Sequence, residues 1–232
     1  MKTIIKRISL LSLVICLTMV GELNAQKLGS FDSSLEKKVG PKTIAVPYTS
    51  VISYLGYAAP GNEDATVDGK KFYYIYIWVP AVVTELGVRM MSPVGEVKIK
   101  KPIKAADFDE NSGSEDFFDT YITLERSSII TKDNISEEAV ANAIWTTLKK
   151  NDDSGQMPKQ PSGRKYNSLL RYESEVGDPL KALTVGLYRV GFTTFKTGEV
   201  KGTFLAEVGA PIKIPGVAMA KTIEELNAQL AK

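Results

Sequence analysis

The sequence predicts a mainly β fold, a β-sandwich or jelly roll with a few peripheral α-helices. Three observations carry this. The run KFYYIYIWV at 71–79 is packed with aromatic and β-branched residues, the composition of a strand. Shorter runs of similar character recur along the chain, separated by Gly, Pro, Asn and Asp clusters. Only two segments have helical caps and helical spacing, one inside 134–150 and one after Thr222. Many short strands with few helices bury their apolar faces best as sheet against sheet.

The elements follow in order. Residues 26–42 are polar and read as a flexible leader. Residues 43–57 read as extended, and Pro60-Gly61-Asn62 and Asp68-Gly69 are turns around the 71–79 strand. Strands are expected at 82–91 and 94–99, split by Ser92-Pro93. Residues 107–116 are acidic with Gly and Ser, hence a loop, and 119–130 alternates as a strand. A helix is expected over 134–150. Asn134 and Glu137 have capping-box spacing, Val140, Ile144 and Leu148 line one face with Trp145 beside them, and Lys149 and Lys150 suit its C-terminal turn. A polar loop at 151–164 precedes a strand at 165–173. Residues 183–195 and 200–208 read as a hairpin closed by Lys196-Thr197-Gly198-Glu199. Gly202 within it marks a bulge or a close backbone approach. The last helix opens at Thr222, with Glu225 three residues on and Leu226 and Leu230 on one face.

The first residues read as an export signal. Lys2, Lys6 and Arg7 precede an apolar run at 8–20, and Leu23-Asn24-Ala25 offers a cleavage point before Gln26. That run falls short of the roughly 20 apolar residues of a membrane span. A retained anchor helix is the alternative. The expected division is a signal peptide at 1–25, a leader at 26–42 and a single domain at 43–232. Cleavage would remove Cys16, the only cysteine, and leave 26 basic and 26 acidic residues. A neutral chain lacks the basic excess of nucleic-acid binders. Cys16 follows Ile15 and the apolar run continues past it, a poor frame for lipidation.

With no histidine and no cysteine after cleavage, Ser-His-Asp and Cys-His nucleophiles are unavailable within one chain. Zinc, copper, haem and iron–sulfur sites lose their usual ligands. Oxygen chemistry remains, which favours calcium or magnesium among metals. Carboxylate-pair and Ser–Lys catalysis stay open on composition. No spaced catalytic pair stands out, so the expectation is a protein that is not an enzyme.

Three constellations are candidates for function. Asp119-Thr120 and Asp152-Asp153-Ser154-Gly155 offer hard oxygens near a flexible turn, although an ordinary solvated acidic loop fits the same residues. Phe72, Tyr74, Tyr76 and Trp78 share one strand face, which could stack on sugars or a protein; a face covered by other elements is the simpler reading. Glu125 and Arg126 with Lys98, Lys100, Lys101 and Lys104 could meet an acidic polymer or form a solvated, aggregation-resistant edge.

Six blocks resemble one family: PYTSVISYLGYAAPG (47–61), FYYIYIWVPAVVTELGVRMMSPVGEV (72–97), FFDTYITLERSSII (117–130), KYNSLLRY (165–172), GLYRVGFTTFKTGEVKGTFLAEVG (186–209) and IPGV (214–217). They are similar to the major outer-membrane surface lipoproteins of Leptospira, a calcium-binding jelly-roll family, over most of the chain from Thr43 to Val217. The resemblance implies a jelly-roll β-sandwich with added helices in a Gram-negative bacterium. It implies an outer-membrane, cell-surface or secreted location, with the periplasm as a further compartment. It implies bound Ca2+ and adhesion to host extracellular matrix proteins or polysaccharide; an abundant envelope protein without a specific partner is the alternative. The family's calcium ligands come from an Asp-Thr pair, an acidic run and a Tyr before Asn-Ser-Leu. Here these are Asp119 and Thr120, Asp152 and Asp153, and Tyr166 through its main-chain carbonyl. Two departures stand out. The family's long Asp run is reduced to two residues, and the cysteine is out of frame for lipid, so lipid anchoring does not carry over.

Overall fold

The computed structural model describes residues 32–95, 97 and 99–232. The expected export signal lies outside them. The chain folds as a sandwich of two main sheets. One has five strands in the order β10-β6-β12-β3-β7: β3 Thr49–Ala58, β6 Glu85–Met91, β7 Ile103–Lys104, β10 Ser168–Glu173 and β12 Gly202–Ala210. The other runs β13-β5-β11-β8-β9, with β4 paired to β5. Its strands are β4 Ala65–Val67, β5 Lys70–Val79, β8 Thr120–Ser127, β9 Trp145–Asn151, β11 Gly186–Thr194 and β13 Ala218–Ala220. From β10 onward successive strands change sheet each time, the winding of a jelly roll.

Alternation builds the core. Tyr73, Ile75, Ile77 and Val79 of β5 point inward with Tyr188, Val190 and Phe192 of β11, against Leu86, Val88 and Met90 of β6 and Phe204, Ala206 and Val208 of β12. The other face of β5 is covered as well. Trp78 packs with Leu187, Ala218 and the C-terminal helix α2 (Ile223–Leu230), while Tyr76 lies against Trp145 with ring centroids 6.2 Å apart. The aromatic stripe is therefore mostly covered. The α2 helix starts as expected: the Thr222 side chain accepts from Glu225 N, and Leu226 is fully buried.

Four expectations are corrected. The 134–150 segment is not one helix. It forms a 3-10 turn at Lys132–Asn134, a short helix α1 at Glu137–Ala141 capped by Ser136, and then β9, which pairs with β8. Trp145-Thr146-Thr147 is aromatic and β-branched, and sheet pairing overrides the apparent 3.6-residue stripe. Of that stripe, Val140 and Leu148 pack inward on different elements, while Ile144 is exposed. Second, 183–208 is not a hairpin, because β11 lies in one sheet and β12 in the other. Third, part of the leader is ordered. β1 (Asp32–Val39) pairs with β2 (Lys42–Pro47) as a separate two-stranded sheet. That hairpin is latched to the body where Ser34 N donates to both oxygens of the buried Glu85 carboxylate, at 3.0 and 3.2 Å, and the Tyr48 hydroxyl donates to the same group. In addition, no strand forms at the described residues of 94–99.

Gly202 marks a close approach. Its φ is +134°, and a Cβ there would sit 2.3 Å from the Asp116 carbonyl oxygen. Rigid backbone lies in the way. Gly202→Ala is expected to cost on the order of 3 kcal/mol, read as a lower urea midpoint at unchanged slope.

Candidate metal centre

The site forms where three segments meet at one end of the sandwich. Asp119 directly precedes β8, and Asp152 and Asp153 directly follow β9. Ile122 faces Asn151 across the β8–β9 pair, so the start of one strand lies beside the end of the other. Tyr166 stands two residues before β10, in the opposite sheet. Its carbonyl accepts from Thr120 N at 3.0 Å and lies 3.1 Å from Thr120 Oγ1. Asp153 N donates to Asp152 Oδ1 at 2.9 Å, which turns the backbone after β9. Ser154 N donates to the Asn167 carbonyl at 3.0 Å and closes the loop onto the Tyr166 segment.

The three carboxylates disfavour one another's charge. Asp119 Oδ1 is buried without a hydrogen-bond partner. Burial pushes the Asp119 carboxyl up to about 6, aided by repulsion from Asp153 and Asp152 and opposed by Lys196 and Lys70. Asp153 is also raised, by burial and then by Asp152. Folded polypeptide rarely leaves a buried carboxylate oxygen unpartnered, because its desolvation then goes uncompensated.

The donor set is hard oxygen throughout: carboxylates, the Thr120 hydroxyl and the Tyr166 carbonyl. The Thr120 proton lies within reach of Tyr166 O and of Ser168 Oγ at 2.8 Å, which leaves an oxygen lone pair free for a cation. Among the described residues no three Asp, Glu, His or Cys side chains are grouped to hold one ion. The carboxylates therefore stand near one another without closing on a common point. A cation held here would need neutral oxygens as well, a donor set that suits the six to eight flexible ligands of calcium better than the tight octahedron of magnesium.

Sequence reasoning missed the residues that fasten the segments. Ser168 Oγ lies 2.5 Å from the Asp152 carbonyl and also within hydrogen-bond reach of the Thr120 carbonyl, so its one proton can serve either. Buried Gln160 aims its amide at Ser92 O (2.8 Å), Phe118 O (2.7 Å) and Tyr166 O (3.3 Å). The signal available for Ser168 was its place at a strand start two residues after Tyr166; for Gln160 there was none. The third constellation dissolves. Glu125 is buried and paired with Arg189, Lys104 pairs with Asp109 at 2.6 Å, and Lys100 and Lys101 are exposed.

The family model for the surface lipoprotein of the Spirochaetales order matches residues 42–219. The chain belongs to that family. The match contains all five candidate ligands and both main sheets except the last residue of β13. Membership in the Spirochaetales surface lipoproteins makes this a surface protein by class and agrees with the mainly β sandwich. No curated protein matches the chain.

Proposed function

We propose that this surface protein holds one calcium ion between Asp119, Thr120, Asp152, Asp153 and the Tyr166 carbonyl, in a structural role. The tied sandwich would then serve as a non-catalytic binding module for extracellular matrix proteins or polysaccharide. The observation that carries the metal reading is the buried, partnerless Asp119 oxygen beside two further carboxylates. The ion would join β8 and the β9 end in one sheet to the approach of β10 in the other. It contributes charge neutralisation and cross-linking, and no reaction. The matrix reading rests on the family resemblance. Calorimetric titration with calcium tests the first; immobilised fibronectin, laminin, collagen and a glycan array test the second. A flat titration overturns the metal site. Silence across the array at micromolar protein leaves the envelope-structural role.

Calcium binding should depend on pH in a definite direction. Asp119 titrates near 6 in the fold, above the ~3.9 of an unfolded aspartate. Its raised value makes the metal-free fold lose stability as pH climbs from about 4 through about 6, where the buried charge forms. Calcium takes the charged form, so its affinity rises across that same window. Titrations at about pH 5 and about pH 7.5 should differ roughly tenfold, weaker in acid, if one proton is displaced. Equal affinities would remove Asp119 from the ligand set.

A further inference from the structure

The outer face of the sheet that contains β5, β11, β8 and β9 carries a groove of about 490 Å³, lined by Asp68, Lys70, Tyr74, Tyr121, Lys149 and Lys150 among others. From β5 to β9 it spans three strand steps, roughly 14 Å at about 4.8 Å per step. Tyr74, Gly191, Thr123 and Lys150 stand in register across its middle. Gly191 keeps that row low. A Cβ there would sit 2.5 Å from Thr123 Oγ1 and 3.1 Å from the Tyr74 ring.

The charges around the groove are unequally employed. Glu125 is spent, since one carboxylate oxygen accepts from Arg189 and the other from Thr123. Lys70 is held in place without a carboxylate. Its ammonium lies 4.8 Å from the Tyr121 ring centroid and 5.5 Å from that of Phe195, and it donates to the Phe195 carbonyl. An ammonium has three donors, so two remain. Lys149 and Lys150 are exposed, and among the described residues neither meets a carboxylate. Of the acidic residues lining the groove, Asp68 alone is left against these three cations. Tyr74, Tyr121 and Thr147 also line the recess, and their hydroxyls have no hydrogen-bond partner among the described residues.

Three facts choose the occupant. Cations in excess call for an anion. Free hydroxyls suit a ligand that is itself rich in hydroxyls. Arg189 lies on the Tyr74 ring and Lys70 on the Tyr121 ring, so neither offers a free platform on which nucleic-acid bases could stack. We propose that this groove binds an acidic polysaccharide, whose carboxylate or sulfate groups meet Lys70, Lys149 and Lys150 and whose hydroxyls meet Tyr74, Tyr121 and Thr147. The proposal rests on the binding-module reading and names its site and its ligand class.

The test is a calorimetric titration of the exported protein with a heparin oligosaccharide at low ionic strength, in calcium and again in chelator, so that the state of the neighbouring metal centre is fixed in each arm. The parent should bind saturably, more weakly as salt is added, and should ignore neutral dextran. Lys149→Gln/Lys150→Gln should lower the affinity about tenfold or more, through the loss of two charge-assisted contacts, at an unchanged unfolding midpoint. Lys100→Gln/Lys101→Gln removes the same charge from the exposed loop before β7, in the other sheet, and should bind like the parent. A control pair that loses as much as the groove pair overturns the proposal, because the binding is then unlocalised charge attraction. A DNA duplex that binds as tightly and responds to the same groove pair also overturns it. So does a parent that ignores heparin in both media; if that parent still holds laminin or collagen, the groove is lost and the binding-module reading stands.

Discussion

Asp119→Asn is expected to abolish the calcium response while making the metal-free protein more stable at neutral pH. The two effects have one cause. The Asp119 carboxylate is partly buried, one oxygen lacks a partner, and Asp153 and Asp152 repel it. Removing the charge relieves the metal-free fold and would deprive an ion of its most desolvated carboxylate. If wild type binds with a constant of ~10⁻⁵ M, 1 mM calcium stabilises it by about 2.7 kcal/mol. That corresponds to a rise of roughly 5–10 °C in unfolding midpoint for a domain of this size. Magnesium should give a smaller rise, because it demands shorter, more regular coordination. Asp119→Asn should lose the rise, with affinity down about a hundredfold or more, whereas Asp153→Asn should cost closer to tenfold because Asp153 is exposed. Scanning calorimetry with calcium, magnesium and chelator reads all three proteins. A wild-type midpoint indifferent to calcium would mean that two aspartates cannot replace the family's longer acidic run.

The parts of this site were legible to different degrees. Periodicity and turn chemistry placed the strand that Asp119 introduces and the turn that carries Asp152 and Asp153, because both are local properties. Their convergence is not local. Tyr166 comes to Thr120 only because β10 and β8 start at the same end of facing sheets, and no spacing in the chain encodes that. The resemblance alone proposed the grouping; Gln160 stayed invisible, and Ser168 offered only its place at a strand start, because their partners are main-chain carbonyls distant in sequence.

The fold shows the same division. The 71–79 strand, the Thr222 cap and the close approach at Gly202 were readable, since each depends on a few adjacent residues. The 183–208 pair was misread because two strands joined by a short Gly-bearing turn look alike whether they pair or arch between sheets. The distinction lies in the partners: β11 finds β5 and β8, while β12 finds β3 and β6. The 134–150 segment was misread for a related reason. Its helical stripe was genuine in spacing, but the free edge of β8 offered Trp145–Asn151 a ladder of hydrogen bonds that a helix could not match.

That same β8 edge supports the second large effect. Arg189→Met is expected to destabilise the protein by about 3–5 kcal/mol, the loss typical of stranding a buried charge. Arg189 lies opposite Glu125 across the β11–β8 pair, with Nε and Nη2 each 2.7 Å from Glu125 Oε2. Its guanidinium is also sandwiched, 3.7 Å from the Tyr74 ring centroid and 4.1 Å from that of Trp145. Glu125 is only 8% exposed and takes a further bond from Thr123 Oγ1 at 2.9 Å, so without Arg189 it keeps one hydroxyl donor and no cation. Arg189→Lys should lose less, roughly 1–2 kcal/mol, because charge survives while the planar stack and the two-nitrogen grip do not. The double variant Arg189→Met/Glu125→Leu should recover most of the loss, since the charge that needed a partner is gone. Urea unfolding followed by tryptophan fluorescence suits the measurement, because Trp145 rests on the guanidinium at the start of β9. The metal centre gives an independent reading. β9 ends at Asn151, immediately before Asp152, so a loosened β8–β9 pair should weaken calcium in Arg189→Met and restore it in the double variant. A double variant as unstable as the single would show that the guanidinium stack, and not the buried pair, holds this edge.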